Sequence, residues 1–131
     1  MPAGYLKPGF LVSKVANPLL KLTGAVPTLA VKGRTSGRWR TVPVNVLEFE
    51  GARYLLAPRG DTQWARNLRA TPEGELRQRG KKEKFRAFEL SDVEKPPLIQ
   101  AYLAKWGAQV KTQFEQLPEP SQHPVFRLEF R

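Results

Sequence analysis

The residues best equipped for chemistry lie between positions 33 and 45, Gly33-Arg34-Thr35-Ser36-Gly37-Arg38-Trp39-Arg40-Thr41-Val42-Pro43-Val44-Asn45. Gly33 and Gly37 permit backbone angles that other residues resist. Thr35 and Ser36 add hydroxyls and free amides. Arg34, Arg38 and Arg40 add permanent positive charge on a planar fork that matches phosphate or carboxylate. The chemistry expected of such a loop is a grip on the anionic end of a ligand. Each charged hydrogen bond from arginine to an anion contributes roughly 1.5–3 kcal/mol, so two or three would anchor a phosphate. Spacing alone leaves a second reading open, that of a solvated hairpin tip.

Most other catalytic equipment is missing from the sequence. The single histidine, His123, precedes a proline in a loop and reads as an ordinary surface residue. With no cysteine there is no thiol nucleophile, zinc-thiolate site or disulfide framework. No serine sits in a nucleophile elbow. No His, Asp and Glu cluster has metal spacing, so no metal is expected. No Gly-x-Gly-x-x-Gly pattern opens a βαβ unit, and the Gly33 loop lacks the Gly-Lys-Ser/Thr ending of a P-loop. An enzyme built from this chain would therefore leave its reaction to a bound cofactor.

The elements that must hold the loop follow from the rest of the chain. Its 131 residues suit one domain, 1–131, with 40% hydrophobic content and a core on the order of two-thirds of the unfolded surface. The formal charge of +10 and pI near 10.3 favour a polyanionic partner: nucleic acid, an acidic membrane surface or a phosphorylated small molecule. Interleaved exposed aromatics of a single-strand platform are lacking, which argues against nucleic acid. No charged, apolar and small leader pattern and no apolar run of roughly 18 residues occurs, so a cytoplasmic protein is expected.

Residues 9–22 read as a short amphipathic helix interrupted at Pro18. It either packs on the domain or meets a membrane surface with Lys7, Lys14 and Lys21 at headgroup level. Residues 25–32 and 39–49 read as strands flanking the cationic loop, the second alternating through Val42, Val44 and Val46. Residues 54–57 make a third strand, so the first three form an antiparallel meander. Asp61 or Thr62 caps a helix that runs to about Ala70 before Thr71-Pro72. Residues 73–79 and 81–90 are two more strands around Gly80. Their Arg77, Arg79, Lys82, Lys84 and Arg86 recur by twos and project to one side of each strand. This is either a solvated hairpin face or a surface that draws in an anionic ligand.

Ser91-Asp92-Val93-Glu94 is a capping box, after which Pro96-Pro97 restarts a helix. Leu98, Tyr102, Trp106, Val110 and Phe114 recur every four residues as its buried stripe, and Gly107 weakens its middle. Residues 125–130 alternate as a last strand. About six mostly antiparallel strands, with an N-terminal helix, a short helix after the third strand and a long C-terminal one, imply an α+β domain on a small closed or partly closed barrel.

Two motifs sharpen this. Gly33-Arg34-Thr35-Ser36-Gly37-x-x-Arg40-Thr41-x-Pro43, followed about twenty residues on by Trp64-x-x-Asn67-Leu68-Arg69-Ala70-x-Pro72, resembles the deazaflavin-dependent nitroreductase and quinone reductase family. These are split β-barrel oxidoreductases that use coenzyme F-420. The resemblance covers roughly residues 8–130. It implies a split β-barrel of the flavin-reductase kind, and a reduced deazaflavin that passes hydride to a quinone, nitro compound or activated alkene. A flavin mononucleotide-binding barrel and a non-catalytic cofactor-binding module are the alternatives. By position, Arg34, Thr35, Ser36, Gly37 and Arg40 would hold the coenzyme's phosphate and acidic tail. Pro43, Val44 and Asn45 would lie along the ring. Pro58, Arg59 and Gly60 would meet the ring edge, with Gln63 and Trp64 closing the pocket. Asn67 would fix the helix rather than touch ligand. Tyr102 and Trp106 would face the substrate, or else belong to the core, as their spacing equally allows. The sequence departs from relatives in its short Pro58–Gln63 connection and in carrying Asn45 where an aromatic is common.

Overall fold

In the computed structural model, residues 26–131 are described. The expected helix over 9–22, with its membrane reading, lies outside them. Seven strands form one sheet: β1 (Thr28–Lys32), β2 (Trp39–Pro43), β3 (Val46–Phe49), β4 (Ala52–Leu56), β5 (Glu73–Gln78), β6 (Lys81–Glu89) and β7 (Val125–Phe130). Two α-helices accompany them, α1 (Gln63–Ala70) and α2 (Pro96–Gln116). Among the described residues no helix is long and apolar enough to cross a membrane.

The strand order is β2-β1-β5-β6-β7-β4-β3, and every pairing is antiparallel. This corrects the expected meander. The span read as one strand over 39–49 is two strands, broken at Val44-Asn45, which raises the count from six to seven. The two halves then lie on opposite edges of the sheet. Three chain steps, from Pro43 to Val46, cover at most about 11 Å. Both edges must therefore approach each other, and the sheet curls into a barrel that stays open along one seam. Val44 does not join β3's ladder; its N–H donates to the Pro27 carbonyl at 3.0 Å, beyond the end of β1.

The register sorts the side chains by face, since neighbours on a strand alternate. Leu29, Val31, Leu55, Leu76, Phe85, Ala87, Phe126 and Leu128 fill the barrel interior. Ala65 and Leu68 of α1 enter the same cluster, so α1 is packed onto the interior core. On the outer face of β3 and β4, Leu47 and Leu56 meet Leu98, Tyr102 and Val110 of α2 in a second cluster. The four-residue stripe of α2 is thus a core stripe, with Trp106 and Phe114 half-buried at its flank. The helix kinks at Trp106 (φ −124°, ψ 16°), next to Gly107, where helix preference is weakest.

The capping box at Ser91 and Glu94 is formed, and closes a short 3₁₀ turn, Asp92–Glu94, ahead of α2. On the β5–β6 hairpin some of the cations are matched by acids, while Lys82 faces Arg77. Lys84 faces Glu75 and Arg86 faces Glu73 across the ladder, and Arg77 pairs with Glu75 at 3.0 Å. Arg79 belongs to the turn, at φ 51°, and not to the strand row.

Candidate functional site

The β1–β2 connection is a tight loop closed by its own backbone. Gly33 N–H donates to the Arg38 carbonyl at 2.8 Å, and Gly37 N–H to the Gly33 carbonyl at 2.9 Å. Gly37 sits at φ 70°, where a side chain would be strained. Ser36 Oγ accepts from Arg38 N–H at 3.2 Å. The loop is tied to the barrel by one buried residue. Asn67 Oδ1, on α1, accepts both the Arg34 backbone N–H at 3.0 Å and Arg34 Nη1 at 2.8 Å. Asn67 therefore holds the cationic loop, where the resemblance implied a residue that fixes its own helix.

Several arginines elsewhere are neutralised locally. Arg53 pairs with Glu83, Arg66 with Asp61, and Arg69 with Asp61 and Glu89. Among the described residues no carboxylate pairs with Arg38 or Arg40, and residues 1–25 contain no Asp or Glu at all. Thr35, Ser36, Gly37, Arg38 and Arg40 are exposed. A loop whose backbone is closed and whose charge is not compensated from within is suited to an external anion.

A second segment approaches from β4. Val46 faces Leu55 in the register, so Asn45 comes beside the end of β4, whose chain runs on into Pro58-Arg59-Gly60 and then α1. Gly60 is buried at φ 95°, a left-handed conformation that suits glycine. Thr62 is the N-cap residue of α1, yet its hydroxyl makes no capping bond. That buried Oγ1 has no partner among the described residues. An orphaned hydroxyl at the start of a helix, beside a glycine turn, leaves a polar position for a ligand oxygen to satisfy. Val44 and Trp64 both pack on the interior cluster while remaining half-exposed, and Trp64 meets Phe126 at 6.1 Å between centroids. They offer apolar surface between the two polar segments. Gln63 is exposed at the head of α1.

The third group lies at the seam. Asn45 Nδ2 donates to Tyr102 Oη at 3.2 Å and to Gln109 Oε1 at 3.4 Å. Tyr102 is only 2% exposed, so what the structure gives it is a hold on Asn45. Burial pushes its phenol up to about 12, with the Asn45 bond working weakly the other way. Trp106 packs on Tyr102 at 4.8 Å and lines a cavity of about 610 Å³ with Asn45. The floor of that cavity carries a charged pair the sequence reading missed. Arg53 donates to both Glu83 oxygens, at 3.0 and 3.2 Å, and lies 3.5 Å over the Phe130 ring. Arg53 holds the Glu83 carboxyl below the usual range, with Lys81 adding to it. A signal for this pair was present: Arg53 is in phase with Leu55, and Glu83 with Phe85 and Ala87, so both charges fall on the core face.

His123 overturns its expectation as a surface residue. It is fully buried, with Nδ1 at 3.0 Å from the Ala57 carbonyl and Nε2 at 2.6 Å from the Leu117 carbonyl. Its ring stacks on Phe114 at 4.1 Å. Ala57 also donates its N–H to the Pro124 carbonyl at 3.0 Å. His123 thus pins the residue before Pro58 to the end of α2.

A curled seven-stranded antiparallel sheet with a cationic β1–β2 loop and a long helix laid across β3 and β4 defines a split-barrel protein. Solved structures share that fold. One is an F420-H2 dependent reductase, FDR-A, 23% identical over 79% of this chain and 93% of its own, with a TM-score of 0.58. Another is an FAD-binding protein from Mesorhizobium loti, 14% identical over 92% and 91%, TM-score 0.59. A third is HutZ, the heme storage protein from Vibrio cholerae, 13% identical over 97% and 91%, TM-score 0.55. No curated protein matches the chain. The family is settled by sequence: the chain belongs to the F420H(2)-dependent quinone reductases, whose family model matches residues 12–118. It is an oxidoreductase that depends on the deazaflavin coenzyme F420.

Proposed function

We propose that this chain reduces a quinone, nitro compound or activated alkene with deazaflavin bound along the band from the cationic loop to the seam. When bound, the reduced deazaflavin supplies a hydride, so that a quinone gains two electrons and one proton from it and a second proton from water. Arg34, Thr35, Ser36, Gly37 and Arg40 would hold the phosphate and acidic tail. Pro43, Val44 and Asn45 would lie along the ring, and Pro58, Arg59 and Gly60 at its edge. Gln63 and Trp64 would close the pocket, with Trp106 on the acceptor side and Tyr102 positioning Asn45.

The observation that carries this reading is the Asn67-anchored loop, which presents Arg38 and Arg40 to solvent with no carboxylate partner among the described residues. Pre-ordering by Asn67 removes part of the entropy that binding would otherwise spend on the loop. The half-exposed Val44 and Trp64 exclude water from one side of a bound ring. Close approach and alignment of the reacting atoms are what this holding achieves. Charge that develops on the acceptor would meet Arg59 or the amides near Gly60. Water would supply the acceptor's proton, since among the described residues no side chain stands out as its general acid.

Titration of the coenzyme's fluorescence tests the reading. Micromolar binding is expected, weakened roughly tenfold to a hundredfold by Arg40→Ala, the range of one charged hydrogen bond. Tighter binding of flavin mononucleotide than of deazaflavin, or full affinity in Arg40→Ala, would overturn it.

A further inference from the structure

The seam cavity has features that the coenzyme reading does not use. At about 610 Å³ it is of the size that takes a small organic molecule. Its walls come from the residues just before β1, from β3 and β4, from the β5–β6 hairpin and from α2. Val26, Pro27, Val46, Leu76 and Trp106 supply apolar surface. Its charged lining is four cations, Arg53, Arg79, Lys81 and Lys105, against two carboxylates, Glu48 and Glu83, a net of +2. Arg53 is occupied by Glu83, and Lys81 acts on that same carboxylate. Arg79 and Lys105 stand apart from them. They come from different elements, the hairpin turn and α2, and among the described residues neither has a carboxylate partner. Lys105 lies 4.9 Å over the Trp106 ring, which places its charge beside the aromatic wall. Residues 1–25 bring only lysines and no acid, so they cannot neutralise this rim.

We propose that the seam cavity is the acceptor pocket, and that it favours acceptors whose reducible ring carries an anionic substituent such as a carboxylate or sulfonate. The ring would stack on Trp106, and the substituent would lie between Arg79 and Lys105. Arg53, fixed by Glu83 below and Phe130 beneath its plane, keeps the floor polar without competing for the anion. This rests on the deazaflavin reading for its reaction, but the pocket's preference for charge is a binding property that needs no turnover.

Two measurements on the full chain separate the two readings. Direct binding is followed by Trp fluorescence with 4-nitrobenzoate and 4-nitrobenzamide, without coenzyme. The carboxylate is expected to bind roughly tenfold tighter at low salt, the factor that two rim-exposed charge contacts supply together. The advantage shrinks as salt rises. Arg79→Ala/Lys105→Ala is expected to narrow the preference to about none. Steady-state rates with 1,4-naphthoquinone and its 2-sulfonate, at saturating reduced coenzyme, should show the same preference in KM, and the same loss in the double variant. Equal binding of the two nitro compounds, or an undiminished preference in the double variant, would overturn the proposal. So would a loss of deazaflavin affinity in that variant, which would assign the rim to the coenzyme's tail. Failure of deazaflavin to bind, with the carboxylate preference intact, would sink the coenzyme reading and leave this one standing.

Discussion

Asn67→Ala tests whether the loop's rigidity matters to binding and not only to folding. Asn67 Oδ1 accepts one neutral and one charge-assisted bond from Arg34. Undiscounted, these are worth about 1 and about 1.5–3 kcal/mol. Arg34 is exposed, so water restores much of its solvation once Asn67 is gone. The expected net loss is about 1–2 kcal/mol, a fall in Tm of about 3–8 °C for a chain this size. The loop would then have to be ordered by the ligand. If that shifts about 1.4 kcal/mol onto binding, deazaflavin affinity falls tenfold although Asn67 touches no ligand. Thermal unfolding and fluorescence titration on one preparation measure both. Asn67→Asp, which keeps the accepting oxygen, should retain most of the stability. An Asn67→Ala variant that is less stable yet binds coenzyme with unchanged affinity would refute the argument that loop order is a condition of binding.

Other substitutions probe the frame around the site. His123→Ala should destabilise by about 2–4 kcal/mol, since it removes the ring's N–H donor from between two carbonyls and opens a gap against Phe114; urea unfolding would register it. Gly74→Ala should lower stability by about 1–3 kcal/mol in the same assay, because its Cβ would lie 2.7 Å from the Ala30 carbonyl oxygen in a neighbouring strand. Tyr102 should resist ionisation near pH 10 and titrate near 12, seen as a missing step in the 295 nm absorbance titration that Tyr102→Phe does not alter below pH 11. Between pH 10 and 12 the unfolded chain binds fewer protons at this phenol than the folded one, so its contribution to stability is lost as pH rises through that window.

Most element positions were legible in the sequence. Alternation identified the strand at 125–130 and the hairpin about Gly80, and the four-residue stripe from Leu98 to Phe114 identified α2 as a core helix. The split motif pointed to the coenzyme family before any coordinates. The sequence set Arg34 and Asn67 in two separate motifs, and only the fold showed that one buried oxygen joins them.

The sequence by itself determined which segments could be strands or helices, and where a loop would carry concentrated positive charge. These follow from periodicity, turn residues and charge, all of which act over a few neighbours. Tertiary structure decided that 39–49 is two strands on opposite edges, because barrel closure and not local alternation selects the pairing. It decided that His123 is core, because burial depends on what covers a loop. It also brought Arg53, Glu83, Arg79 and Lys105 to one seam, since residues up to 52 positions apart in the chain meet only when the sheet curls.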